Sequence, residues 1–139
     1  MSESKRWHQS YAPGVPHYLE LEEITLSKAL SRSAEKRAGL AAMNYMGREI
    51  SFSELETLVN RFARALLALG VAPGDKVALV LPNLPQMTIA MYATFRIGAV
   101  AVPNNPLYTE RELAHQFNDS EAKLVVGLDL LLPRLLSLK

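Results

Sequence analysis

The chain has 139 residues, a hydrophobic fraction of 49% and a formal net charge of +1. This length suffices for one domain with a sizeable core, and the near-neutral charge gives no reason to expect nucleic acid as a partner. No cysteine is present, which excludes disulfides and thiolate metal sites and is compatible with a reducing cytoplasm. The apolar runs are too short to cross a bilayer and the first residues contain no apolar signal-peptide segment, so we expect no transmembrane segment.

The first part of the chain, residues 1–23, is predicted to be an irregular tail. Pro13-Gly14 and Pro16 interrupt it, and its polar stretches contain the aromatic residues Trp7, Tyr11 and Tyr18. Such a tail either frays or packs on a neighbouring surface. Residues 24–139 are predicted to form the α/β domain itself.

Two elements are predicted between this tail and the longest helix. Thr25 can cap a helix, and Gly39 lies just beyond the end of that helix. The segments 40–45 and 48–52 flank Met46-Gly47, which predicts a short β-hairpin.

The strongest helical pattern covers residues 54–69. Apolar residues recur on one face at helical spacing, namely Leu55, Leu58, Val59, Phe62, Leu66 and Leu69. Either Ser51 with Glu54 or Ser53 with Glu56 can form a capping box, so the sequence leaves two starting points for this helix.

Residues 76–102 carry the clearest signal of the fold. Two short apolar runs, 77–81 and 99–102, lie on either side of a helix predicted over 85–97. That helix is apolar on most sides and is expected to be well buried. Apolar runs of this length between turn signals are typical of strands that are buried on both faces, as in a parallel sheet.

The same alternation continues along the chain. Thr109 and Glu112 can form a capping box, which predicts a helix that runs to about Asp119. Residues 123–126 are predicted to be a third parallel strand. The leucine-rich residues 129–139 are predicted to be a helix. Strands and helices joined by short links imply right-handed βαβ crossovers. The predicted fold class is therefore α/β, with Rossmann-like parallel βαβ units preceded by a helix and a β-hairpin. An open sheet edge suggests part of a larger fold.

The ends of the two apolar strands hold the candidate binding residues. Asn83 follows the first strand and precedes Pro85, whereas Asn104 and Asn105 follow the second strand and precede Pro106. The simpler interpretation makes Asn83 the N-cap of the next helix and makes the other two turn residues. The alternative is that Asn104 and Asn105 line a ligand crevice, because open α/β sheets bind ligands at the carboxyl ends of their strands.

Other residue patterns indicate no catalytic, cofactor-binding or metal site. The seven glycines are scattered, and neither GxGxxG nor GxxxxGK[ST] occurs. Separate surface histidines and a solvated acidic cluster explain the remaining candidates better than metal binding or paired-carboxylate catalysis; these candidates are His8, His17, His115, Glu20, Glu22 and Glu23. Core packing is the simpler role for Met87 and Met91.

A family resemblance is carried by three ordered blocks, ISFSEL at 50–55, GVAPGDKVALVLPN at 70–83 and residues 95–126. Together they resemble the start of the AMP-forming acyl-CoA synthetases of the adenylate-forming superfamily. The opening with Trp7, Tyr11 and the Pro-Gly-Val-Pro run at 13–16 resembles that of the long-chain fatty acid–CoA ligases. The resemblance implies that the α/β domain is a subdomain of the larger adenylate-forming fold.

The resemblance implies a ligase that converts fatty acid, ATP and CoA into acyl-CoA, AMP and pyrophosphate, with Mg²⁺ as a cofactor. The family's phosphate loop, its adenine and Mg²⁺ motifs and its catalytic lysine come after the matched region. We therefore assign no catalytic, cofactor-binding or metal residue, and we expect this segment to be inactive alone and to bind none of these cofactors. Some relatives have an arginine near CoA after the Asn-Pro pair, where this chain has Leu107.

The resemblance also implies partners and a location. The expected partners are the remainder of the synthetase, the fatty acid and CoA, and a second copy in a homodimer. The expected location is the cytoplasm, with peripheral membrane association left open. Three other interpretations stay open: a stand-alone, non-catalytic interaction module, part of a medium-chain or aromatic-acid CoA ligase, and a small nucleotide- or flavin-binding protein. The last needs a phosphate-cradling loop that the sequence does not show.

Overall fold

The structure of the chain is a computed structural model that describes residues 5–138. Its strands form an antiparallel hairpin and a parallel sheet; they are β1 (Ala41–Tyr45), β2 (Arg48–Ser51), β3 (Lys76–Val80), β4 (Val100–Asn104) and β5 (Leu124–Gly127). The α-helices are α1 (Leu26–Lys36), α2 (Phe52–Ala68), α3 (Pro85–Arg96), α4 (Glu110–Ser120) and α5 (Leu132–Leu136). Short 3-10 helices lie at Arg6–Ser10 and Asp129–Leu131.

The parallel sheet has β3 at its centre, flanked by β4 and β5. Val77 of β3 stands opposite Ala101 of β4 and Leu124 of β5. Two crossovers join these strands: α3 connects β3 to β4, and α4 connects β4 back across β3 to β5. Crossovers between parallel strands are right-handed in nearly all proteins. Because the two crossovers run in opposite directions across the sheet, α3 and α4 cover opposite faces. The predicted α/β class with three parallel strands is confirmed.

Burial on both faces explains the apolar sequence of β3. Val77 and Leu79 belong to the main core, to which the helices on that face contribute Leu30, Leu55, Val59, Ala63, Leu66, Ala90 and Ala93. Side chains alternate between the faces of a strand, and Ala78 and Val80 are equally inaccessible on the opposite face. Leu113 of α4 is also buried outside the main core. The sheet therefore separates a larger core from a smaller one.

The hairpin and the start of α2 follow their predictions. β1 and β2 pair antiparallel, and Met46 and Gly47 between them have φ values of 50° and 82°, as a two-residue type I′ turn requires. Ser51 caps α2, because its Oγ accepts a hydrogen bond from Glu54 N at 3.1 Å. The first of the two predicted starting points is therefore right, and α2 begins at Phe52.

The helix α3 is less buried than predicted. Only Ala90, Ala93 and Thr94 are fully buried in it, and most of the other residues are half-buried. The helix packs against α1, α2 and the sheet, which leaves one side of it uncovered within residues 5–138. The apolar composition of α3 was therefore a poor guide to its burial.

The leucine-rich segment is not the single helix that was predicted. A 3-10 helix ends at Leu131 and α5 follows it. A continuous α-helix from residue 129 would need an N–H at position 133 to bond the Asp129 carbonyl, and Pro133 has none. The proline therefore separates the two short helices, and Lys139 lies outside the described residues.

An aromatic cluster surrounds His8 within the N-terminal tail. The His8 ring stacks on His17 with 4.4 Å between centroids, and three further rings lie against it, those of Trp7, Tyr11 and Tyr18. His8 Nδ1 accepts a hydrogen bond from Lys5 N at 3.1 Å. Burial and the nearby His17 lower the pKa of His8, which favours the neutral ring that this hydrogen bond requires.

Arg96, the last residue of α3, joins three helices. Its guanidinium binds both carboxylate oxygens of Glu56 in α2, at 2.6 and 2.9 Å. It also donates to Asn60 Oδ1 at 2.6 Å and to the hydroxyls of Ser27 and Ser31 in α1. The Arg96 and Glu56 side chains are only 16% and 20% exposed, so water screens their attraction less than it would at the surface.

Replacing Gly98 should destabilise the chain. Gly98 has a φ of +73°, and a Cβ added there would lie 3.3 Å from Pro73 Cβ. We expect Gly98→Ala to lower the free energy of unfolding by about 1–2 kcal/mol, because an L-residue pays a steric penalty in this region. Gly39→Ala is the matched control, since its added Cβ meets open space. Equal urea midpoints for the two variants would contradict the expectation.

Removing the Arg96 charge should cost more than removing a surface charge. We expect Arg96→Met to lower the free energy of unfolding by about 3 kcal/mol, because it leaves the Glu56 carboxylate without its cation in a largely buried position. Arg48→Met, which breaks the exposed Arg48–Glu54 pair, should cost at most about 1 kcal/mol. The double variant Arg96→Met/Glu56→Leu should recover part of the loss. Similar costs for the two single variants, measured by urea unfolding, would refute this role of Arg96.

The same ion pair should make stability depend on pH. Burial of Glu56 raises its pKa, but hydrogen bonds from Arg96 and Ser31 and the Arg96 charge outweigh this effect and hold the pKa below its ordinary value of 4.5. The stabilisation is therefore complete above pH 4.5 and is lost as the pH falls below it. We expect the stability gap between wild type and Glu56→Gln to shrink between pH 5 and about pH 3 in urea titrations. A constant gap, like that expected for Gly39→Ala, would argue against it.

Candidate functional site

The carboxyl ends of β3 and β4 meet at a crevice. Val80 and Asn104, the last residues of the two strands, stand opposite each other. After β3 the chain continues to α3 on one face of the sheet, whereas after β4 it continues to α4 on the other face. The two connecting segments therefore diverge and leave a gap between them. The crevice has a volume of about 540 Å³ and is lined by Leu81, Pro82, Asn83, Met87, Pro103, Asn104, Asn105, Pro106 and Leu107. The structure therefore brings the two asparagine-containing segments together.

Asn104 is the most constrained polar residue of the crevice. It belongs to β4 rather than to the turn after it, and only 5% of its surface is exposed. Its Nδ2 donates to Val102 O at 2.7 Å, whereas its Oδ1 has no hydrogen-bond partner among residues 5–138. A buried acceptor without a partner is unfavourable and is uncommon in folded proteins. The prediction of a turn role for Asn104 is wrong, because the strand extends through it.

The other two asparagines have different roles. Asn105 Oδ1 accepts a hydrogen bond from Leu107 N at 3.0 Å, which confirms its predicted turn role. Asn83 is exposed and does not cap α3, so that prediction is wrong. The N-cap is Leu84, because the residue before Pro85 is driven into an extended conformation and the helix begins at the proline.

The loop after β4 is held at two points. Thr109 and Glu112 form the predicted capping box at the start of α4, with Thr109 N donating to Glu112 Oε2 at 2.7 Å. The backbone and hydroxyl of Thr109 lower the pKa of Glu112 by these hydrogen bonds. Arg134 of α5 donates to Pro106 O at 3.4 Å. Sequence reasoning missed Arg134, since no local pattern connects residues so far apart.

A second crevice of about 500 Å³ lies between the hairpin and the start of α3. It shares Asn83 and Met87 with the first crevice and extends to Tyr45 and Met91. Met87 and Met91 are partly buried against the main core, which confirms their predicted packing role. Their remaining exposed surface forms part of the uncovered side of α3.

The remaining candidates do not converge on either crevice. His8 and His17 stack within the tail, whereas His115 lies on α4 beside Arg111 and Glu112. Of the tail carboxylates, Glu22 pairs with Arg32 of α1. Among residues 5–138, no group of three or more His, Asp or Glu side chains is placed to hold a metal ion. None of the helices in that range combines the length and apolar character that a membrane crossing requires.

Comparison with known proteins identifies a family and several relatives that are similar to this chain. A family model described as AMP-binding enzyme matches residues 30–138. The Long-chain-fatty-acid–CoA ligase of Bacillus subtilis (strain 168) is 35% identical over 139 residues, which cover 100% of this chain and 25% of that protein. The enzyme of the same name from Escherichia coli O157:H7 is 38% identical over 124 residues, 88% of this chain and 22% of the relative. The chain therefore spans about a quarter of the length of these relatives.

Solved structures agree with this placement. The benzoate CoA ligase from Burkholderia xenovorans LB400 superposes with a TM-score of 0.77 and 28% identity, over 83% of this chain and 24% of that one. The Mycobacterium tuberculosis fatty acyl CoA synthetase superposes with a TM-score of 0.77 and 30% identity, over 81% and 23%. The resemblance to adenylate-forming CoA ligases is thereby confirmed, and the chain belongs to the AMP-binding enzyme family.

Proposed function

We propose that the chain supplies the N-terminal α/β subdomain of a long-chain fatty acid–CoA ligase. The observation that carries the proposal is the extent of the similarity: the Bacillus subtilis ligase matches 100% of this chain, including its tail. The 4-coumarate–CoA ligase 4 of Arabidopsis thaliana, whose name indicates an aromatic acid, is 36% identical but matches 67%. The more extensive similarity favours a fatty acid as the substrate.

The complete enzyme would activate a fatty acid in two steps. The carboxylate attacks ATP in the presence of Mg²⁺ to give an acyl-adenylate and pyrophosphate, and the CoA thiol then displaces AMP. AMP is a much better leaving group than a carboxylate oxygen, so the adenylate stores the activation that the thioester needs. The enzyme must hold the reactants in line and neutralise phosphate charge.

The described residues do not fit ATP or Mg²⁺ by themselves. They offer no set of three or more acidic or histidine side chains for a metal ion, and the glycines are not arranged as a phosphate-cradling loop. We therefore assign no residue of this chain to ATP, Mg²⁺ or CoA, and we propose that the chain is inactive alone. Its contribution is a scaffold in which β3 and β4 present one crevice to the rest of the enzyme.

The proposal includes the organisation and setting of the enzyme. Residues 1–23 form a separate tail, residues 24–139 form the subdomain, and the remainder of the synthetase is the principal partner. A homodimer and a cytoplasmic or membrane-peripheral location follow from the same assignment. The exposed aromatic rings of the tail, with Trp7 at 59% exposure, are consistent with a surface that another chain covers.

Two measurements test the proposal. The chain alone should give no fatty-acid-dependent ATP–pyrophosphate exchange, because its sequence contains no phosphate-cradling loop of the GxGxxG or GxxxxGK[ST] type. A chimera in which this chain replaces the matched quarter of the Bacillus subtilis ligase should form acyl-CoA from a long-chain fatty acid. The same ligase with that quarter deleted is the control and should be inactive. Robust exchange by the chain alone, or a folded chimera without activity, would overturn the proposal.

A further inference from the structure

The aromatic cluster of the N-terminal tail is built around an imidazole that must stay neutral. We infer that the tail is a pH-sensitive switch, which is closed while His8 is neutral and opens when His8 gains a proton. Opening releases residues 5–18 from their compact arrangement and frees the ring of Trp7 from its contact with His8. This property belongs to the tail itself and is independent of the proposed function.

His8 connects the beginning of this segment to its end. Its Nδ1 accepts a hydrogen bond from Lys5 N at 3.1 Å, and its own backbone N–H donates to Lys5 O at 3.0 Å. These two bonds close the N-terminal end of the 3-10 helix Arg6–Ser10, of which Lys5 is the N-cap. The His8 ring also stacks on His17, with 19° between the ring planes, and meets the ring of Tyr18 almost at a right angle. The closed tail therefore depends on contacts of one imidazole.

A proton on His8 opposes the contacts that hold this side chain. A protonated imidazole donates from both nitrogens, so Nδ1 would face the Lys5 N–H with a hydrogen of its own. His8 is only 5% exposed, and burial disfavours the charged form of a base. The His17 ring, whose centroid lies 4.4 Å away, brings a second positive charge close when it is protonated as well. Burial and His17 both lower the pKa of His8.

The groups around His8 supply no negative charge to offset that proton. Within residues 5–138 its ring contacts all come from the tail, and three of these rings are titratable, namely those of Tyr11, His17 and Tyr18. The charged residues of the adjoining 3-10 helix and its cap, Lys5 and Arg6, are both cations. The carboxylate of Glu22 pairs with Arg32 of α1, and no ion pair of that part of the chain includes a histidine. A protonated His8 therefore gains no compensating partner there.

The direction of the pH dependence follows from the lowered pKa. In an open tail His8 binds its proton with the ordinary pKa of 6.5, whereas in the closed tail it binds the proton less readily. The closed arrangement therefore has its full stability above pH 6.5 and loses stability as the pH falls below that value. The Arg96–Glu56 pair keeps its full stabilisation down to pH 4.5. Mild acid should therefore open the tail while the helices of the α/β domain remain joined.

Two readouts on the intact chain test the switch. Trp7 is the only tryptophan, so its fluorescence anisotropy reports on the tail without a label, and NMR of ¹⁵N-labelled histidine reports the protonation of His8. From about pH 7.5 to about pH 5 the anisotropy should fall by about half, with the same midpoint as the protonation of His8 and below pH 6.5. A constant anisotropy over this range, or protonation of His8 without a fall in anisotropy, would overturn the inference.

A pair of variants separates the charge of His8 from its hydrogen bond. In His8→Gln the side chain can still accept a bond from the N-cap N–H three residues earlier, but it does not titrate, so the anisotropy should not change with pH. His115→Gln is the matched control, because His115 lies on α4 outside the tail, and this variant should keep the wild-type transition. Loss of the transition in His8→Gln alone supports the switch. An equal transition in wild type and His8→Gln refutes it.

Discussion

Strand β3 is the constraint on which the other elements depend. Neighbouring strands occupy both of its hydrogen-bonding edges, and its two faces belong to different cores. A side chain at position 77 or 79 must fit the larger core, whereas one at 78 or 80 must fit the smaller, since close packing leaves little room for adjustment. Because β3 separates α3 from α4, it also determines where the crevice opens and where Asn104 is held. The scaffold and the position of the crevice therefore have one origin.

The features that depend on residues close in sequence could be predicted. Ser51 and Thr109 cap their helices through bonds that span three residues, and Gly47 marks the hairpin turn because glycine adopts its φ of 82° without steric cost. The meeting of the two asparagine-containing segments was also predictable, because the carboxyl ends of parallel strands lie at one edge of a sheet. The family was indicated by ordered motifs and not by any catalytic group.

The features that the sequence did not indicate depend on distant residues or on competing local effects. Arg96 and Glu56 are 40 positions apart, and nothing in either helical pattern shows that their side chains meet. The cap of α3 was misplaced because the effect of Pro85 on the preceding residue outweighs the capping preference of Asn83. The unmet oxygen of Asn104 could not be predicted either, since it reflects which atoms of β4 and the neighbouring prolines lie beside it.

The two sheets differ in how far along the chain their partners lie. Tyr45 pairs with Arg48 in the hairpin, whereas Lys76 pairs with Val100 and Val77 with Leu124 in the parallel sheet. Local pairings form quickly, but distant ones must first overcome the entropy of closing a long loop. During synthesis, β3 is made before either of its partner strands. The most deeply buried strand of the folded molecule is therefore an apolar segment that stays unpaired until the strands after it have been made.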